Sequence, residues 1–134
     1  MNRSLRTTLA LAVSLGGAAV GVRAQVGVSA TNKSAWGENL GWLNFRDANG
    51  GQDPARFSAT FVSGSVWASN AGWISLGDGT PGNGVSYANV TGLDFGVNLA
   101  PETGMLTGMA WGENIGWINF GAGALATPPN PARL

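Results

Sequence analysis

Two glutamates, Glu38 and Glu113, stand in nearly the same phrase: WGENLGW at residues 36–42 and WGENIGW at residues 111–117. Paired carboxylates can cleave a glycosidic bond, one as acid and the other as base or nucleophile. That chemistry needs two different environments to push the two pKa values apart. Equivalent copies of one turn supply similar environments, and a third copy, WASNAGW at residues 67–73, has Ser69 in the glutamate slot. A glycoside hydrolase using Glu38 and Glu113 is therefore the most distant reading. The rest of the catalytic inventory is thin. The chain has neither His nor Cys, which removes Ser-His-Asp and Cys-His nucleophiles and zinc or copper sites of the usual N/S type. It carries no dinucleotide fingerprint and no P-loop. DANGGQD, residues 47–53, places oxygen side chains like a calcium loop but lacks the third early acid and the closing Glu. It reads as a solvated turn. No catalytic residue, metal or cofactor is expected.

The tryptophans are the remaining chemistry. They fall in pairs, Trp36 and Trp42, Trp67 and Trp73, Trp111 and Trp117, each pair six residues apart. After the second Trp come WLNF, WISL and WINF, alternating with a period of two. In a strand, Trp117 and Asn119 then share one face while Ile118 and Phe120 take the other. Two readings follow. Trp is more often buried than exposed, so the indoles can be the core of a protein with no disulfides. Alternatively they form an exposed ladder on which sugar rings stack. In that case the site is Trp36, Trp42, Trp111 and Trp117, assisted by Asn44 and Asn119, with the degenerate middle copy only supporting the fold.

The elements that position these residues follow from the same phrase. A short apolar run precedes each first Trp, and a Gly/Asn-rich stretch (GENLG, ASNAG, GENIG) separates it from the second strand. Strand, five-residue loop, strand is a β-hairpin in which each Trp pair faces across the ladder. Asn39, Asn70 and Asn114 occupy one loop slot and Gly41, Gly72 and Gly116 another. Asn tolerates positive φ and bonds its own backbone, and Gly takes left-handed conformations freely. Both sets are expected to make the turns. A preceding strand completes each unit: RFSATFVSGSVW reads as strand, tight turn at Ser63 and Gly64, strand, and the longer third unit turns at residues 101–104. The expected fold class is all-β, about nine short antiparallel strands from three repeats at about 26–46, 56–77 and 85–121. A sandwich, a barrel or a solenoid-like sheet would each accommodate them. Such repeats need variable links between rigid units, and the Gly-rich stretches 47–54 and 77–84 supply them. The tail TPPNPARL, residues 127–134, reads as an extended linker or frayed end, because Pro supplies no backbone donor.

The phrase W-G-E-N-x-G-W-[IL]-N-F with its lead-in resembles a repeat of uncharacterised secreted and surface proteins of bacteria. Residues 105–121 and 34–45 carry it closely; the middle copy departs at Ala68, Ser69 and Leu76. The resemblance implies export and a repeat-built β module, and it brings no agreed activity and no catalytic residues.

Export is also read from the first residues. Arg3 and Arg6 precede an uncharged apolar run, and Val22-Arg23-Ala24 offers small residues around a cut after position 24. That is a signal-peptide pattern, and the run is shorter than a bilayer span. Residues 1–24 are thus expected to be removed, leaving no stable membrane span and one domain at 25–126 plus the tail. The full chain has zero net charge. Without residues 1–24 it keeps four basic and seven acidic side chains, a net −3 with no basic cluster. Nucleic-acid binding needs a concentrated positive patch and is set aside. The reading is a non-enzymatic secreted or envelope module with a structural, surface-display or adhesive role. The alternative is a lectin-like module. Its partners are then a polysaccharide or, through open sheet edges, other copies of itself.

Overall fold

The computed structural model describes residues 26–121 and 132–134. The expected signal segment and residues 127–131 of the tail lie outside the described residues. Ten strands follow one another: β1 (Val26–Gly27), β2 (Ser34–Gly37), β3 (Gly41–Asn44), β4 (Arg56–Phe57), β5 (Phe61–Ser63), β6 (Ser65–Ala68), β7 (Gly72–Ser75), β8 (Val97–Ala100), β9 (Met105–Gly112) and β10 (Gly116–Asn119). Every pairing is antiparallel. One 3-10 turn, Ala48–Gly51, is the sole helical element among the described residues. The protein is all-β, as the period-two pattern requires.

The strands form one open path, β1-β4-β5-β8-β9-β7-β6-β3-β2, with β10 on the other side of β9. It does not close into a barrel. β9 belongs to two wings: residues 105–108 pair with β8, and residues 109–112 pair with β10. Between them Gly108 sits at φ +86°, where a Cβ would collide with the Gly96 carbonyl. β5 and β6 repeat the device. They do not pair with each other but follow one another through Gly64, also at φ +86°. The expected tight turn at Ser63 and Gly64 is therefore a bend between wings. The chain reverses earlier, over residues 58–61, where Ser58 N–H donates to the Phe61 carbonyl at 2.9 Å.

The hairpins are also tighter than expected. Gly37 pairs with Gly41, Ala68 with Gly72 and Gly112 with Gly116, so three residues form each loop, not five. Gly41, Gly72 and Gly116 adopt φ of 72°, 76° and 76°. A left-handed residue closing a three-residue hairpin explains the economy. The turn at residues 101–104 is as expected, with Gly104 N–H on the Ala100 carbonyl at 2.8 Å. The strand ahead of it is shorter than read, because residues 85–96 run irregularly before β8.

The core lies between the wings. Val62, Val97 and Leu106 come from one, Val66, Ala68, Ile74 and Ala110 from the other, with Leu43, Phe45, Ile118 and Phe120 packed against them. The aliphatic face of the repeat is thus the buried one. The end of the tail is not frayed. Leu106 donates to the Ala132 carbonyl at 2.7 Å and Leu134 to the Gly104 carbonyl at 3.0 Å. Past Pro131 each residue again has an N–H, so pairing can resume.

Candidate functional site: a stepped tryptophan face

Six strands in the order β10-β9-β7-β6-β3-β2 place the three hairpins side by side. Trp67 and Trp111 each follow a core residue, Val66 and Ala110, so pleating turns those two indoles away from the core. Trp36 follows Ala35 on a strand that is itself exposed. Trp36 faces Trp42, Trp67 faces Trp73 and Trp111 faces Trp117 in direct register. Ring centroids are 5.3, 5.1 and 4.9 Å apart at interplanar angles of 68°, 69° and 69°. The three edge-to-face pairs thus share one geometry.

None of the six indoles is buried. Trp36 and Trp42 are 63% and 60% exposed, Trp117 49%, Trp111 40% and Trp67 39%; Trp73 is half-buried. The core reading of the tryptophans is therefore overturned: small and aliphatic residues fill the interior, and the Trp/Asn face is outside. The middle pair is the least exposed because a hairpin flanks it on each side.

The pairs do not form a straight row. Trp67 lies opposite Asn44 and Trp111 opposite Ser75, so each hairpin is offset by two residues from the last. Two strands across at ~4.8 Å each and two residues along at ~3.4 Å each put successive pairs ~12 Å apart. That stagger assigns Asn44 to a different neighbour from the one read from sequence. It shares a strand with Trp42 but lines a cleft with Ala48, Asn49, Trp67 and Trp73. Its Oδ1 accepts Arg46 and Asp47 N–H at 3.0 and 2.9 Å, and Asn119 Oδ1 accepts Gly121 N–H at 2.8 Å. Each asparagine is held by its oxygen, while its Nδ2 donates to no acceptor among the described residues.

The turn asparagines have another role than expected. None of them adopts positive φ. Asn70 Nδ2 donates to the Asn39 carbonyl at 3.4 Å and Asn114 Nδ2 to the Ala71 carbonyl at 3.3 Å. They lace one hairpin turn to the previous one, and the glycines alone take the left-handed residue.

Phe95 was not foreseen. It packs edge-to-face on Trp117, 5.0 Å between centroids at 85°, and borders a cleft of about 310 Å3 with Asn89, Thr91, Met109 and Trp117. Its loop has no strand period, so nothing in the sequence marked it. Asn89 holds that loop: its Oδ1 accepts Gly96 and Met109 N–H, both at 3.1 Å.

Glu38 and Glu113 are not brought together. Their turns lie four strands apart in the sheet order, ~19 Å or more at ~4.8 Å per strand. Paired glycosidase carboxylates sit within ~10 Å. In the stretch at residues 47–53, Asp47 pairs with Lys33 and Arg46, and Asp53 with Arg56 at 3.0 Å and Ser65 Oγ at 2.8 Å. The two acids thus face different protein partners. Among the described residues no helix is long and apolar enough to cross a membrane. Comparison with protein-family models, curated proteins and solved structures gives no match.

Proposed function

We propose that the chain is a non-enzymatic adhesive module of an exported or envelope protein, binding glycan on its tryptophan face. The exposure of all three Trp pairs on one face of one sheet carries this reading. Burying indoles contributes strongly to stability, so leaving five of them exposed makes sense where a partner covers them. Sugar rings have an apolar face for the indole and hydroxyls for the free Nδ2 groups of Asn44 and Asn119. Glu38 and Glu113 stand at the turn end of that face and disfavour anionic chains. The ligand class is a neutral polysaccharide. Shallow stacking gives ~1 mM affinity per sugar unit, and stepped repeats on one chain raise it through multivalency.

Electrophoresis through gels containing neutral soluble polysaccharides tests this. The unaltered chain is expected to be retarded by at least one of them, with Trp36→Ala and Trp117→Ala running faster. Equal mobility with and without every glycan would leave the structural or display role.

A further inference from the structure

The two joins between hairpins are copies of one another. In the first, Leu43 faces Ala68 and Asn44 faces Trp67; in the second, Ile74 faces Gly112 and Ser75 faces Trp111. Both therefore place the residue two after a second Trp opposite the first Trp of the next hairpin. Both are sealed beyond the strand by the next turn: Ser69 N–H donates to the Trp42 carbonyl at 2.9 Å and Glu113 N–H to the Trp73 carbonyl at 3.0 Å. The seal occupies a fixed spot. A Cβ at Gly41 would collide with Ser69 Oγ, and one at Gly72 would come within 2.7 Å of Asn114 Nδ2. At Gly116, the same slot of the third hairpin, nothing among the described residues lies within 4 Å.

Among the described residues nothing pairs with the outer edge of β10 or of β2. The backbone groups there are aimed outward. Trp42 turns its carbonyl to β6, so its partner Trp36 has its own N–H and C=O directed away from β3, to solvent. Phe120 N–H reaches back to the Gly108 carbonyl at 3.0 Å, so Trp117 and Asn119, of opposite parity, point outward as well. Strand directions alternate without a break from β10 to β2, so an added β10 beside β2 continues the antiparallel order. An edge strand of this kind is a template for pairing.

We infer that the partner of this edge is a second copy of the chain, with β2 of one docking on β10 of the next in the register of the internal joins. Trp36 then faces Asn119, Gly37 faces Ile118, and the Glu38 N–H reaches the Trp117 carbonyl. The Glu38-Asn39 turn fills the open slot over Gly116. The two edges differ, so the contact is heterologous and each copy leaves one edge free at either end. Strand twist of ~20–25° carries successive copies around an axis and away from closure. Each copy adds six strands, ~29 Å at ~4.8 Å per strand, and prolongs the tryptophan staircase.

Light scattering over a dilution series, without glycan, tests this on the chain as released by an expressing cell. Association beyond a dimer is expected, growing with concentration. Gly116→Asn places a side chain in the open slot, and Asn accepts the positive φ. It is expected to keep the circular dichroism of the unaltered chain and to remain a single copy. Asn119→Pro, which removes an outward N–H from an edge strand where Pro is tolerated, is expected to do the same. Single copies of the unaltered chain at every concentration would overturn the inference. So would association that survives both replacements.

Discussion

At the scale of single residues, the bend glycines and one tyrosine hold the irregular half of the molecule in place. A side chain at Gly108 must adopt a left-handed backbone and meet both the Gly96 carbonyl and Asn89 Nδ2, the latter at 2.7 Å. Gly108→Val is expected to cost about 3 kcal/mol or more in a urea titration, from strain plus overpacking. Tyr87 is buried, packs edge-to-face on Phe61 at 5.5 Å, and accepts the Gly79 N–H at 2.7 Å through its hydroxyl. Burial, reinforced by the charges of Asp78 and Asp94, pushes its phenol from the ordinary 10.0 up to about 12. The fold favours the neutral phenol. Its contribution is therefore complete below pH about 10 and is lost as the pH rises toward about 12. Tyr87→Phe is expected to cost about 1 kcal/mol at neutral pH. It should also flatten the alkaline fall of the thermal midpoint.

At the scale of elements, each hairpin has a structural side and a presented side. Ile74 is 4% exposed and sits among the wing residues, whereas Trp42 is exposed and packs edge-to-face on Trp36. Ile74→Ala is expected to cost about 2–5 kcal/mol. Trp42→Ala should cost only about 1 kcal/mol, the scale of an aromatic pair, as read from urea midpoints. The hairpins themselves were legible in the sequence, because six-residue Trp spacing and period-two alternation fix register without tertiary help. Their loops were less so: Gly in the left-handed region lets Gly37 and Gly41 pair, and residue types alone do not count ladder bonds. The bend at Gly64 was misread as a turn for a related reason. Ser-Gly signals a change of direction, but only the carbonyls approaching from Pro54 and Gly77 show that the chain passes between wings.

At the scale of the whole molecule, the sequence carried the fold class and the composition of both faces, but not which face would be inside. Trp is usually buried, and here the wing of β5 and β8 covers the aliphatic side instead. That decision depends on core partners such as Val97 and Val66, distant in sequence and invisible to local pattern. The stepping of the pairs was equally illegible, since it arises from the Asn44–Trp67 and Ser75–Trp111 register between hairpins. The consequence is a staircase of three edge-to-face indole pairs on one open sheet.

Intrinsic tryptophan fluorescence, titrated with neutral soluble polysaccharides, tests that platform most directly. The free protein is expected to emit at the long wavelengths of water-exposed indole. With a bound glycan the emission should shift to the blue and saturate, and a Trp36→Ala, Trp117→Ala double variant that stays folded should respond weakly. Blue emission from the free protein, unmoved by every glycan, would contradict the account.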